Sequence, residues 1–331
     1  MPAVASKQCL TVGSFFAGCG GWELAIESYI ERGTDHNFDR IEVLFQIDKS
    51  RSCRLLLQHN FRSKQMSGDV FNIDISALPW VHMLTFSPSC RGYSSAGTMK
   101  GEKHVEGQIL WPAVEYIELH LPICFAMEQV NLMKQIKIWV KLLKRLVKIK
   151  VYEVETRSLK ASEIAGIPSR RNRLFLWGIL RLVSTGLVVP QPIGFQIRLE
   201  DILDMQDIGC LKDTLPNDAV GGPNIVAAYA MADDDAFARL HIFDVYGTLP
   251  HVYTGLFPTI TATRGGSRGY YLSSLFRFTK IKELARLQGF PARRVRWFGK
   301  VSRRQMGMMI GNSVCVPVAE AVVKSCLSAI N

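Results

Sequence analysis

A cysteine and a glutamate each stand just beyond a short apolar run of this sequence: Cys90 follows "VHMLTF" in "FSPSCRGYSSAG", and Glu128 follows "ICFAM" in "MEQV". Short apolar runs bounded by polar or turn residues read as buried strands. In open α/β sheets ligands bind outside the carboxyl ends of the strands, so both side chains are expected to face one cleft. An ionised thiol is a nucleophile, and a carboxylate at a buried strand end is costly unless something holds it. The pair therefore offers a nucleophile and an acid. "GIPSRRNRLFLWGI" adds Arg170, Arg171 and Arg173 at the entry to another strand, where alternation predicts Arg171 and Arg173 on one face. Two guanidiniums beside a thiol would favour the thiolate and bind phosphate or a carbonyl oxygen; a surface basic patch is the alternative reading.

The elements that must position these groups alternate up to about residue 180. "LTVGSFF", "IEVLFQID", "VHMLTF", "ICFAM", "VYEVETRSL" and "RLFLWGIL" read as strands, with helices at "GWELAIESYI" and "SRSCRLLLQHNF". This alternation predicts βα units around a largely parallel sheet. After the first strand, Gly18, Gly20 and Gly21 in "FAGCGGWELA" allow a tight turn and close approach of backbone to ligand at a helix N-terminus. No Gly-Lys-Ser/Thr follows, which excludes a Walker-type phosphate loop. After the second strand the acid that commonly takes ribose hydroxyls is replaced by Gln46, with Asp48 two residues on. Asp69 in "GDVFNID" can accept from an adenine amino group while the Val70 backbone holds the ring; a solvated loop acid is the alternative. Beyond Leu180, Gly-, Pro- and Thr-rich stretches such as "GGPN" and "YGTLPHVYTGLFPTITATRGGSRGYY" predict an irregular strand-and-loop region. Helical patterns return at "TKIKELARLQ", "SRRQMGMM" and "VPVAEAVVKSCLSAI".

Composition narrows the class. A sequence of 331 residues, 48% hydrophobic and 21% charged, fits a soluble globular protein with a large domain and a smaller one. It carries no apolar run long enough for a membrane span, and "MPAVASKQCL" lacks the pattern of a signal peptide, so no membrane partner is expected. The eight cysteines are scattered without metal-ligand spacing, which argues against zinc, other metals or a disulfide framework. Lysine and arginine total 40 against 29 acids, a formal charge of +11 that favours a polyanionic partner. Two segments concentrate it. "KQIKIWVKLLKRLVKIK" predicts an amphipathic helix with Lys134, Lys137, Lys141, Lys144 and Lys148 outward and Ile136, Trp139, Val140, Leu143 and Val147 opposite. It reads as a solvated face or as a nucleic-acid contact. "ARRVRWFGKVSRR", with Arg293 and Arg294, interleaves cations with Trp297 and Phe298, a pattern suited to nucleic acid.

Taken in order, these segments resemble the C5-cytosine methyltransferases. "FAGCGGWELA" is similar to that family's Phe-Xaa-Gly-Xaa-Gly-Gly cofactor loop, "SPSCRGYSSAG" to its Pro-Cys-Gln loop, "MEQV" to its Glu-Asn-Val and "GIPSRRNRLFLWG" to its Gln-Xaa-Arg-Xaa-Arg strand. "RLQGFP" resembles the segment after the recognition domain, and "IGNSVCVPVAEAV" the final Gly-Asn-Ser-Val helix. The resemblance implies an α/β, Rossmann-like class I fold dependent on S-adenosyl-L-methionine (AdoMet), with a mixed, mostly parallel sheet. Residues 1–180 plus 302–331 would form the AdoMet-binding catalytic domain, and 181–301 a smaller, irregular target-recognition domain. It assigns attack on C6 of a flipped-out cytosine to Cys90, contact with the ring N3 and exocyclic amine to Glu128, and positioning of base and backbone to Arg171 and Arg173. Implied cofactor contacts are Phe16, Ala17, Gly18, Cys19, Gly20, Gly21, Gln46, Ile47, Asp69, Val70, Ser89, Asn312 and Ser313. Implied nucleic-acid contacts are Ser94, Thr259, Thr261, Gly265, Arg293 and Arg294.

Five positions depart from the family pattern: Ser89 and Arg91 flank the cysteine, Gln129 replaces the Asn after Glu128, Ser169 replaces the first Gln of the arginine strand, and Gln46 replaces the ribose-binding Glu. The implied partner is double-stranded DNA and the expected state monomeric, cytoplasmic in a bacterium or phage and nuclear in a eukaryote. A tRNA cytosine-5 methyltransferase and a catalytically weak, DNA-binding regulatory relative are the open alternatives. The Cys-Phe-Thr signature of the tRNA branch is absent from the sequence.

Overall fold

The computed structural model describes residues 8–33, 36–90, 108–232, 235–291 and 301–331. In chain order the first part comprises β1 (Gln8–Phe15), α1 (Gly21–Arg32), β2 (Phe38–Ile47), α2 (Arg51–Phe61), β3 (Gln65–Ser67), β4 (Met83–Phe86), α3 (Trp111–His120), β5 (Cys124–Gln129), α4 (Lys137–Lys148), β6 (Tyr152–Lys160) and β7 (Asn172–Leu180). The strands build one sheet in the order β3-β2-β1-β4-β5-β7-β6. Pairing is parallel from β3 through β5, whereas β7 runs antiparallel to both β5 and β6. β4 and β5 are buried along their whole length because a central parallel strand is covered on both faces. Chain order reverses between β1 and β4, so the segments leaving these strands diverge and open a crevice at their carboxyl ends.

The helices are set by local signals. Gly20 takes a left-handed φ of 85° immediately before α1, and Ser50 caps α2 by accepting from the Cys53 N–H at 3.4 Å. In α4 the buried side chains are Ile138, Trp139, Leu142 and Leu146. Val140 and Val147, expected on the apolar face, are exposed, because at 100° per residue they turn away from the arc centred on those four.

The chain divides into two compact units: Met1–Lys160, Asn172–Pro192 and Val314–Asn331 in the first, Ala161–Arg171 and Ile193–Ser313 in the second. The second unit contains α5 (Gly221–Met231) and an antiparallel sheet, β11-β10-β8-β9, made of β8 (His241–Asp244), β9 (His251–Thr254), β10 (Tyr271–Leu272) and β11 (Arg277–Phe278). It also holds α6 (Ile281–Leu287) and α7 (Arg303–Asn312). Ile225, Ala228, Phe243, Val245 and Tyr271 form its core. The helix α5 replaces the irregular segment expected from "GGPN". Its glycines and proline fall in the first turn, where they are tolerated, and the Asp218 carboxylate accepts from the Val220 and Gly221 N–H groups. The division also differs from the one at residues 180 and 301: α7 lies with the second unit, and Arg181–Pro192 with the first.

The final helix, α8 (Val316–Leu327), returns to the first unit and lies against α1, β5 and β7. Trp177 Nε1 donates to Ser325 Oγ at 3.0 Å, and Arg32 pairs with Glu320. Among the described residues no single helix is long and apolar enough to cross a membrane.

Candidate active site

Cys90 lies beyond the end of β4, and Glu128 lies near the end of the adjacent strand β5. Ser14 on β1 and Thr85 on β4 share a hydroxyl–hydroxyl hydrogen bond of 2.8 Å, joining the two strands at the point where their exits diverge. The segment Ser87–Cys90 leaves β4 held at two points. Trp22 Nε1 of α1 donates to Ser87 Oγ at 2.9 Å, and Gln129 Nε2 at the end of β5 donates to the Pro88 carbonyl at 2.9 Å. The other end of the Gln129 amide accepts from the Val130 N–H at 2.8 Å. Cys90 is half-buried at the end of this segment, with Ser89 exposed. Arg91 and Ser94 lie outside the described residues.

Glu128, adjacent to Gln129 on β5, is 6% exposed. Its Oε1 meets Arg173 Nε of β7 at 3.2 Å. The guanidinium therefore orients this buried carboxyl group. Arg171 is different. It precedes β7, is 3% exposed, and its guanidinium donates to the carbonyls of Ser313 at 2.6 Å, Ile260 at 3.3 Å and Gly311 at 3.4 Å within the second unit. β7 begins only at Asn172, so strand alternation does not govern Arg171.

The glycine loop between β1 and α1 is strained and braced. Phe16, Gly18 and Gly20 all have positive φ, 57°, 60° and 85°. A non-glycine residue in that region costs about 1 kcal/mol or more and persists only where its surroundings impose it. The Ala17 N–H donates to the Ile47 carbonyl at 3.2 Å, and the Gly18 N–H to Asp48 Oδ2 at 2.8 Å. Asp48 Oδ1 accepts from the Ser50 N–H at 2.8 Å. Burial pushes the Asp48 carboxyl up, against the pull of these two N–H groups. Gly20 has no room for a Cβ, which would lie 2.1 Å from the Phe61 ring. Cys19 and Ile47 are buried beside this turn, and Gly21 opens α1.

The other candidates are distributed as follows. Gln46, expected to face a ribose, is fully buried, and its Nε2 donates to Glu23 Oε1 at 2.6 Å. Asp69 pairs with Lys49 at 2.9 Å, and that contact, with the Phe71 N–H, holds its carboxyl below the usual carboxylate range; Val70 beside it is buried. In the second unit the Thr259 carbonyl accepts from the Tyr270 hydroxyl at 3.0 Å, and Thr261 Oγ1 caps the short helix Ala262–Gly266. Gly265 is buried where a Cβ would lie 2.1 Å from the Gly307 carbonyl oxygen, so packing against α7 alone explains its type. Asn312 is exposed and Ser313 buried. Arg293 and Arg294 lie outside the described residues. Trp22, Glu23 and the bracing role of Gln129 were not found from the sequence. Trp22 and Glu23 look like ordinary helix positions, and only their distant partners give them roles.

The strand order with its single antiparallel β7 is that of the class I AdoMet-dependent methyltransferases. Two solved structures share the fold over nearly their whole length: DNMT2 from Spodoptera frugiperda, with a TM-score of 0.67 at 16% identity, covering 96% of this chain and 99% of that one, and a DNA modification methyltransferase encoded within an Escherichia coli prophage, with a TM-score of 0.63 at 19% identity, covering 96% and 98%. The profile of the C-5 cytosine-specific DNA methylase family matches residues 10–209 and 253–328, and the chain belongs to that family. Among its relatives are the type II methyltransferases M.NlaX of Neisseria lactamica, 29% identical over 327 residues and 96% of each chain, and M.NgoBI of Neisseria gonorrhoeae, 25% identical over 321 residues, covering 94% of this chain and 91% of the relative.

Proposed function

We propose that the protein methylates C5 of cytosine in double-stranded DNA through a covalent adduct between Cys90 and C6 of a base turned out of the helix. The observation that carries this reading is the shared support of the two reactive groups. Gln129 holds the segment that ends at Cys90, and the adjacent residue is the carboxylate Glu128, itself oriented by Arg173.

The chemistry suits these groups. C5 of cytosine is a poor nucleophile within the aromatic ring. Addition of the Cys90 thiolate to C6 makes C5 enamine-like, and covalent catalysis divides one difficult step into two easier ones. Glu128 in its protonated form passes its proton to N3, neutralising the negative charge that develops on the ring as the C6–S bond forms. After C5 has been alkylated, a base removes the C5 proton, and the electron pair of that C–H bond re-forms the double bond as the thiolate leaves. Extrusion of the base is required because C6 is inaccessible inside the stack.

The glycine loop fits an extended, polar cofactor. Its positive-φ turns present backbone N–H groups, a Cβ at Gly20 would not fit, and Asp48 braces it from below. Phe16–Gly21, Ile47, Asp69 and Val70 would hold AdoMet, which supplies an electrophilic methyl group when bound. The residues near the second unit's glycines, Thr259 and Thr261, would lie along the DNA. The bacterial relatives suit a cytoplasmic, restriction–modification setting for this chain.

The test is transfer of labelled methyl from AdoMet to duplex DNA, with tRNA as the competing acceptor. Wild-type protein should label cytosine C5 in DNA and Cys90→Ala should not. Transfer retained in that variant would remove the covalent mechanism, and preference for tRNA would replace the DNA reading.

A further inference from the structure

The replacement of an acid by Gln46 leaves two polar atoms unexplained. Glu23 lies in the first turn of α1 and Gln46 is the penultimate residue of β2; both are 0% exposed. Gln46 Nε2 donates to Glu23 Oε1 at 2.6 Å. The other oxygens of the two groups, Glu23 Oε2 and Gln46 Oε1, are sealed from solvent and have no hydrogen-bond partner among the described residues. With Glu23 ionised both are acceptors, and neither can satisfy the other. A buried, unpaired carboxylate oxygen is among the costlier defects a fold can carry. A proton on Glu23 would turn Oε2 from an acceptor into a donor, the kind of group that Gln46 Oε1 lacks. A carboxylic acid and a carboxamide are complementary in this way, each donating one bond and accepting one.

We propose that Glu23 is held as a neutral acid in a reciprocal two-bond pair with Gln46, and that this pair positions the glycine loop in place of a carboxylate aimed at the cofactor ribose. The surroundings act in the same direction. Burial is the largest influence raising the Glu23 carboxyl, and the charge of Asp48, in the loop after β2, adds to it. The Gln46 amide and the Ser14 hydroxyl of β1 oppose the shift without reversing it. The pair fastens the first turn of α1 to the end of β2, while Asp48 fixes the Gly18 N–H and Ile47 the Ala17 N–H. Phe16–Gly20 is therefore strung between braced ends. Glu23 and Gln46 act through that backbone and are positioning residues. The contribution of the neutral pair to stability is complete below the ordinary glutamate pKa and is lost as pH rises through the raised value in the folded chain.

The proposal rests on reading the loop as the AdoMet site, and an exchange experiment separates the two. Q46E alone sets two carboxyl groups face to face in the core, while E23Q/Q46E swaps acid and amide. We expect Q46E to lower Tm by at least about 5 °C and the double variant to recover most of that loss. The infrared spectrum of the wild type at neutral pH should contain the carbonyl stretch of a neutral carboxylic acid that is missing in E23Q. Calorimetric AdoMet affinity should fall about tenfold in E23A and stay within about twofold in E23Q, which keeps two bonds. Absence of the neutral-acid band, or a Q46E variant as stable as the wild type, would overturn the pair. A chain that shows the band and the exchange pattern but binds no AdoMet would keep the pair, and overturn both its role at the loop and the methyltransferase reading.

Discussion

Gln129 uses one amide twice, donating to the Pro88 carbonyl and accepting from the Val130 N–H, and so couples the exit of β5 to the segment that bears Cys90. Gln129→Ala should leave the fold and AdoMet affinity intact but let that segment drift. Small misplacements of a reacting group are expensive, and kcat should fall by about ten- to a hundredfold. An unchanged kcat would assign the bond to packing. On the proposed mechanism Glu128→Ala removes the acid at N3 and should lower kcat by roughly 10²- to 10⁴-fold, the range of a positioned acid. The same variant leaves the Arg173 guanidinium, 18% exposed, without its carboxylate, so a modest drop in Tm should accompany the kinetic loss. At this scale the sequence marked Cys90 and Glu128 as following apolar runs, and those runs are β4 and the first part of β5. It could not show that Gln46 points to Glu23, or that Arg171 binds three carbonyls, since those partners lie far away along the chain.

Elements of the second unit meet at backbone distance. Gly265 and Gly307 face each other so closely that a Cβ on Gly307 would sit 1.7 Å from the Gly265 carbonyl oxygen, and one on Gly311 would lie 2.3 Å from the Thr261 carbonyl oxygen. Gly307→Ala must therefore separate α7 from the Ala262–Gly266 helix and should cost about 1–3 kcal/mol by denaturant titration. A buried ion pair locks α6 to β11: Arg277 Nη2 to Glu283 Oε1 is 2.7 Å and Nη1 to Oε2 is 3.0 Å, with Glu283 0% exposed. Glu283→Ala would leave Arg277 only the Asp207 carboxylate at 3.0 Å and backbone carbonyls, and should destabilise the unit by about 1–3 kcal/mol, read as a loss of Tm or of cooperativity. These junctions explain the glycines and the "KELARL" pattern as packing features. The apolar periodicity marked α6 and α7 as helices, but their contacts depend on chain segments tens of residues away.

For the whole molecule, the +11 charge predicts DNA affinity that falls steeply with salt, with each neutralised phosphate adding about 0.9 to the slope of log K against log salt. The lysines of α4 test where that charge acts. β6 runs parallel to β5, since each is antiparallel to β7, so α4 descends from the carboxyl edge of the sheet to its amino edge. Lys144 and Lys148 therefore lie toward the edge opposite the strand ends that carry Cys90 and Glu128. K144Q/K148Q should leave the salt slope unchanged; a decrease of one or more would place duplex on that face.

What the sequence determined by itself was six of the strands and three of the helices in the first 180 residues, though not the strand Gln65–Ser67 or the helix Trp111–His120, together with the glycine turn and the places of Cys90 and Glu128 beyond apolar runs. Hydrophobic periodicity and turn chemistry are local, and they survive without knowledge of partners. Tertiary structure decided everything that depends on an inter-element contact: Gln46 turned inward to Glu23, Asp48 under the glycine loop, Gln129 on the Cys90 segment, Arg171 on distant carbonyls, and α5 formed from a glycine-led segment. A side chain's role there follows from the single donor or acceptor that the fold brings opposite it. That complement is chosen by packing rather than by spacing along the chain.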